Sequence, residues 1–284
     1  PRPRRVAVGT FDGVHLGHRE VIRDSDTVLT FDPHPLAVVK PDALPKLISS
    51  HPIKRDLIAG LGVEELVVIP FDHEFSLKSA DQFIDEVLVE KLRATHVSVG
   101  ENFTFGQKAQ GNPELLASRS EFETRVVPLV EVNGETVSSS HIRGLVAAGE
   151  VKEASEFLGG PFLFQGEVVH GDKRGRELGF PTANIVPSDR LVVPGHGVYA
   201  AWAHGHPAAV NVGVRPTFKT GRGLLIEPFL LDFDGDLYGQ DLRVAFVERL
   251  RGEKRFESVD DLVAQMELDV QRAREICSAT VFRR

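Results

Sequence analysis

Gly159-Gly160-Pro161 divides the chain into two hydrophobic patterns that cannot belong to one sheet. Before it, five apolar, mostly β-branched runs occupy residues 6–8, 27–31, 66–69, 96–99 and 125–130. Helical spacing lies between several of them: Ile53, Leu57, Ile58 and Leu61, then Phe83, Val87, Leu88 and Leu92 behind an N-cap candidate at Ser79. Alternating strands and helices predict a parallel sheet covered on both faces, with ligands beyond the carboxyl ends of its strands. After the break the period falls to two. Runs at 162–169, 197–203, 208–212, 224–232 and 242–248 are separated by turn sequences such as His204-Gly205-His206-Pro207 and Asp234-Gly235. Short strands at this spacing predict a small, closed or nearly closed antiparallel barrel. A last amphipathic helix starts at Ser258, with Asp261 completing a capping box and Leu262, Met266, Val270 and Ala273 packing on the barrel.

The fold class is therefore α/β plus all-β. Residues 1–158 form the first domain, including a joining helix over 142–158 that Gly149 breaks or bends, and 159–284 form the second. One connection looks short. Only eight residues separate His18 from Thr27, too few for the helix begun at Gly17 to finish and return. Further residues are expected around Arg23-Asp24-Ser25.

A net charge of −8 argues against a general nucleic-acid or membrane-surface binder. No apolar run approaches the ~18 residues of a membrane span. The single cysteine, Cys277, excludes an internal disulfide and fits a reducing compartment. Pro1-Arg2-Pro3-Arg4-Arg5 carries no apolar segment of a secretory leader, so a cytoplasmic location is expected. Nothing in the sequence fixes an oligomeric state.

The chemistry-bearing residues of the first half follow its strands. After the first run comes Gly9-Thr10-Phe11-Asp12-Gly13-Val14-His15-Leu16-Gly17-His18. Its glycines bring backbone close to a phosphate, and His15 and His18, three apart, can be aimed at one phosphoryl group. It is neither a Walker loop nor a dinucleotide fingerprint, since neither spacing matches. After the second run, Asp32-Pro33-His34-Pro35 leaves Asp32 and His34 at a stiffened strand tip. After the fourth, Gly100-Glu101-Asn102-Phe103-Thr104-Phe105-Gly106 suits a flat aromatic ligand. After the fifth, Ser138, Ser139 and Ser140 lead to Arg143, a residue able to hold a triphosphate.

Together these segments resemble the FMN adenylyltransferase module, with its GxFDGxHxGH, TFDPHP, VGxxFxFG and SSTxIR patterns. Here the last reads SSSHIR, Ser140 keeping the hydroxyl of the usual threonine. The resemblance implies that His15, His18 and Arg143 neutralise charge during adenylyl transfer. It implies that Gly9, Phe11, Asp12, Gly17, Asp32, His34, Asn102, Phe103 and the three serines bind ATP or FMN.

The second half concentrates its chemistry in residues 171–184. Gly171, Gly175 and Gly179 can wrap phosphates beside Lys173 and Arg174, and Thr182 and Asn184 are neutral oxygen donors on one face of an extended chain. Such oxygens suit magnesium bridged to phosphates. Gly179-Phe180-Pro181-Thr182-Ala183-Asn184 resembles the riboflavin kinase signature. Asn211-Val212-Gly213-Val214-Arg215-Pro216-Thr217-Phe218 and Ile226-Glu227 with Leu230-Leu231-Asp232-Phe233 resemble further patterns of that family. The resemblance implies Glu227 as the base for the riboflavin 5′-hydroxyl and Thr182 and Asn184 as ligands of Mg2+–nucleotide. It places Gly171, Lys173, Gly179, Phe180, Pro181, Asn211, Arg215 and Thr217 at ATP or flavin.

Over nearly its whole length the chain thus resembles the bifunctional riboflavin kinase/FMN adenylyltransferase family, a multifunctional transferase. The implied substrates and products are riboflavin, FMN, FAD and ATP, with Mg2+. Two other readings are a nucleotidyltransferase acting on another phosphorylated acceptor, and a non-enzymatic flavin carrier or sensor.

Overall fold

A computed structural model of the chain describes residues 2–170, 180–214 and 223–280. It divides into two compact units, Pro1–Pro45 with Lys54–Ser139, and Lys46–Ile53 with Ser140–Arg284.

The first unit is built on β1 (Arg4–Val8), β2 (Thr27–Asp32), β3 (Glu65–Pro70), β4 (Ala94–Gly100) and β5 (Glu123–Val127). They form one parallel sheet in the order β3-β2-β1-β4-β5. Both faces are buried, as the apolar runs require. Val6 and Val8 pack in one cluster with Leu29, Val97 and Phe83, while Ala7 packs in another with Phe11, Val21 and Ile58. Strand order reverses at β1, which has β2 on one side and β4 on the other. The crevice of such a sheet opens beyond the carboxyl ends of β1 and β4.

Beyond β1 the chain enters α1 (Leu16–Ile22), capped by the His15 side chain, and leaves it at Arg23. Asp24 takes a left-handed conformation (φ 64°), and the Asp26 N–H donates to Arg5 O at 3.1 Å as β2 begins. In this structure residues 9–26 carry the chain from β1 to β2, with the two-turn α1 between them.

α2 (His51–Ala59) and α3 cover the sheet. The latter begins as Ala80–Gln82 behind a reciprocal Ser79–Gln82 capping box and widens to a π-helical Phe83–Lys91. Residues past β5 add a two-stranded ribbon, β6 (Glu131–Val132) and β7 (Glu135–Thr136).

The joining segment is two helices, α4 (Ser139–Ala148) and α5 (Val151–Leu158). The elbow is Gly149 at φ 90°, and a Cβ there would stand 2.7 Å from the Tyr199 hydroxyl oxygen. Gly149→Ala is expected to destabilise the fold by ~1–3 kcal/mol, seen as a lower urea midpoint with an unchanged slope.

The second unit contains a closed six-stranded barrel in the order β10-β11-β12-β9-β8-β13. The strands are β8 (Phe162–Val169), β9 (Asn184–Ile185), β10 (Gly197–Ala203), β11 (His206–Val214), β12 (Leu224–Leu230) and β13 (Asp241–Arg251). Two-residue β9 has no run of its own in the sequence pattern, yet it joins β12 to β8 through Ile185. α6 (Val259–Ala279) docks where Ala200 and Ala209, cross-strand partners, leave room for Ala273 and Cys277. Ser258 caps it, accepting from the Asp261 N–H. The Asp261 carboxylate accepts from the Ser258 hydroxyl at 2.7 Å, so the expected reciprocal box is replaced by a side-chain pair. Val270 and Ala273 pack on the barrel as expected, and Leu262 and Met266 line a cavity together with Val270.

Candidate active sites

The loop between β1 and α1 is bound down by its own carbonyls. Thr10 O accepts from Thr30 Oγ1 (3.2 Å) and Lys54 Nζ (2.9 Å), Asp12 O from Ser139 Oγ (3.1 Å), and Val14 O from Arg19 Nε (3.1 Å). Phe11 (φ 49°) and Val14 (φ 46°) are left-handed without being glycine, a strained backbone that only such anchoring keeps. The loop delivers two stacked imidazoles, His15 and His18, with ring centroids 3.5 Å apart and the Phe11 ring edge-on to His18 at 5.4 Å. The His18 N–H donates to His15 Nδ1 at 3.3 Å, which leaves Nε2 as the protonated nitrogen of a neutral His15. His18 Nδ1 is buried without a hydrogen-bond partner among the described residues. Desolvation holds the His18 imidazole well below its ordinary value of 6.5, and the nearby His15 and Lys54 push the same way. His18 is neutral at pH 7.

Both histidines line a cavity of about 700 Å³, together with Gly9, Phe11, Gly17, Asn102, Phe103, Ser138 and Ser139. Phe31, Phe71, Phe75 and Phe83 give it an aromatic wall suited to a flat ring system. Asp12, Asp32 and His34 are placed differently. Asp12 is buried, and its carboxylate and that of Asp32 sustain the charge on Lys54. His34 Nδ1 accepts from the Leu36 N–H at 3.2 Å. Ser140 and Arg143 lie on α4 in the second unit, where Arg143 Nη2 donates to Ser140 Oγ at 3.2 Å.

Lys54 is the residue the motifs did not single out. It occupies the apolar stripe of α2 with Leu57 and Ile58, and only 9% of it is exposed. Burial lowers its affinity for a proton, and Asp12 and Asp32 partly restore it. A lysine at helical spacing with apolar residues was the available signal.

The second cavity, about 690 Å³, lies on the barrel and brings together Glu227, Asn211, Thr182 and Phe180. Glu227 is 2% exposed. Asn211 stands opposite it on β11 and donates from Nδ2 to Glu227 Oε2 at 3.1 Å. Asn184 is buried on β9 outside the cavity wall, with Nδ2 3.5 Å from Thr182 O. Pro181 precedes this pair and does not line the cavity, while Phe180 meets Phe229 edge-on at 5.4 Å. Gly171, Lys173, Gly179, Arg215 and Thr217 lie outside the described residues. The far wall carries a second buried charge that the motifs did not mark. Asp269 on α6 accepts from Arg251 Nη2 at 2.8 Å, and Arg251 lies over the Phe256 ring.

Residues 1–141 match the FAD synthetase family and residues 158–277 the riboflavin kinase family. A bifunctional riboflavin kinase/FMN adenylyltransferase of Listeria monocytogenes is 36% identical over 286 residues, covering 95% of this chain and 91% of that protein. The chain belongs to the bifunctional riboflavin kinase/FMN adenylyltransferase family. Members from Bacillus subtilis (36% identical, covering 94% of this chain and 90% of that protein) and Escherichia coli (35%, covering 97% and 93%) match over similar lengths. A Streptococcus pneumoniae crystal structure described as a macrolide-efflux protein superposes with a TM-score of 0.85 at 33% identity. The match covers 96% of this chain and 95% of that one. Among the described residues of this family member, no helix is long and apolar enough to cross a membrane.

Proposed function

We propose that the chain converts riboflavin to FMN on the barrel and FMN to FAD in the cavity at the sheet tips, with the boundary near 159–161. In the first reaction the riboflavin 5′-hydroxyl attacks the γ-phosphorus of ATP, Glu227 takes the proton, and ADP leaves. Placement within the buried Asn211–Glu227 pair supports this role, since phosphoryl transfer depends on positioning more than on basicity. In the second, the phosphate of FMN attacks the α-phosphorus of ATP and pyrophosphate leaves. The nucleophile is already an anion, so His15 and His18 need only align it and neutralise charge.

Among the described residues no group of three or more His, Cys, Asp or Glu could hold a metal ion. Thr182 shares the cavity wall with Glu227, and its neutral oxygen, with that of Asn184 on β9 behind the wall, would suit Mg2+, a hard cation that takes few protein ligands and keeps water and phosphate oxygens. When bound there, Mg2+ would neutralise the nucleotide phosphates.

The observation that carries the assignment is the gathering of His15, His18, Asn102 and Phe103, from two strand ends, on one aromatic-walled cavity. A buried free thiol at Cys277 and use of ATP support a cytoplasmic location. Incubation with riboflavin and Mg-ATP, followed by chromatography of the flavins, is expected to yield FMN and then FAD. A carrier would return riboflavin unchanged, and a transferase for another acceptor would stop at FMN.

A further inference from the structure

Lys54 lies outside both cavity walls, yet its ammonium reaches the histidine loop. Nζ donates to Thr10 O at 2.9 Å, and Thr30 Oγ1 holds the same carbonyl from β2. The residues that follow, Phe11 and Val14, are left-handed, so a turn of this kind relaxes unless its ends are fixed. A buried lysine is costly to place, and a carbonyl anchor beside two carboxylates offsets that cost.

We propose that Lys54 is a positioning residue for adenylyl transfer, its ammonium fastening the Thr10 carbonyl and so fixing the turn that presents His15 and His18 to the cavity. This rests on assigning adenylyl transfer to that cavity. The same charge bears on His18. His15, stacked on the His18 ring, and the charge of Lys54 on α2 act on His18, while the carboxylates of Asp12 on the loop and Asp32 on β2 act on Lys54. Lys54 opposes protonation of His18, so removing its charge lets His18 take up a proton at higher pH.

The test compares Lys54→Met with Lys54→Arg in the full chain. FAD formation from FMN and Mg-ATP is followed from pH ~5 to ~8, FMN formation is assayed on the same preparations, and the histidine Cε1 resonances are titrated by NMR. Lys54→Met is expected to lower kcat for FAD formation roughly tenfold, to move its acid limb and the His18 titration to higher pH, and to leave FMN formation unchanged. Lys54→Arg, which keeps the charge, is expected to restore the wild-type pH profile and most of the rate. The proposal is overturned by a Lys54→Met enzyme with the wild-type rate and profile. It is equally overturned if the variant loses both activities together, or if Lys54→Arg is as impaired as Lys54→Met with the His18 titration unmoved. A wild-type protein that makes FMN but no FAD overturns the underlying assignment instead, and the proposal with it.

Discussion

Replacing His18 with alanine is expected to lower FAD formation from FMN by roughly 10²–10³ while FMN formation from riboflavin continues at the wild-type rate. The size follows from what the ring does. His18 lies against His15 at 3.5 Å on the cavity wall, and its buried Nδ1 has no hydrogen-bond partner among the described residues. A neutral donor held in a desolvated place interacts more strongly with charge developing on phosphorus than the same donor in water. Because burial keeps His18 neutral, the rate on the wild-type enzyme should stay level as pH rises through ~6.5, where a catalytic imidazolium would lose its proton and the rate would fall. Selectivity follows from composition: every residue lining the barrel cavity belongs to the second unit, and none is His18. Assaying both products on one preparation is enough. Equal loss of both would mean that the two reactions share a site.

The sheet and barrel were legible because their strands are buried in different ways. β1 and β2 are covered on both faces and read as continuous apolar runs, whereas β8 and β13 of the barrel alternate. Gly149 was legible as a bend because a left-handed elbow needs glycine. β9 was not, because two residues carry no period and Asn184–Ile185 is a strand only through its neighbours. The π-helical winding of Phe83–Lys91 was hidden for a related reason: Phe83, Val87 and Leu88 present the same face under either winding. At the sites, glycines and histidines stood out by type. Lys54 and Asp269 did not, since each sits on an otherwise apolar helical stripe and reads as an interruption of the core. Each is buried next to a cavity, Lys54 against the loop carbonyl and Asp269 against Arg251. A charge on a buried stripe needs a partner, and here that need points to the site.

Glu227→Gln is the complementary experiment, and its signature is a pathway that fails with riboflavin but works with FMN. The glutamine keeps the shape of the glutamate and an oxygen for Asn211 Nδ2, now 3.1 Å from Oε2, so β11 and β12 keep their pairing and the fold is retained. What it removes is a group able to accept the proton of the 5′-hydroxyl. Loss of such a base costs roughly 10²–10⁴ in rate. The variant given riboflavin and Mg-ATP should therefore accumulate almost no FMN and no FAD, and the same variant given FMN should make FAD at the wild-type rate. Alanine is the less informative change, since it also leaves Asn211 facing a gap where a carboxylate was. If Glu227→Gln phosphorylates riboflavin normally, Glu227 is a buried structural acid that orients Asn211, and the proton must leave by another route. If it also loses FAD formation from supplied FMN, the barrel and sheet cavities are not independent. The separation of the two chemistries then fails even with His18 behaving as expected, because independence requires each substitution to spare the other reaction.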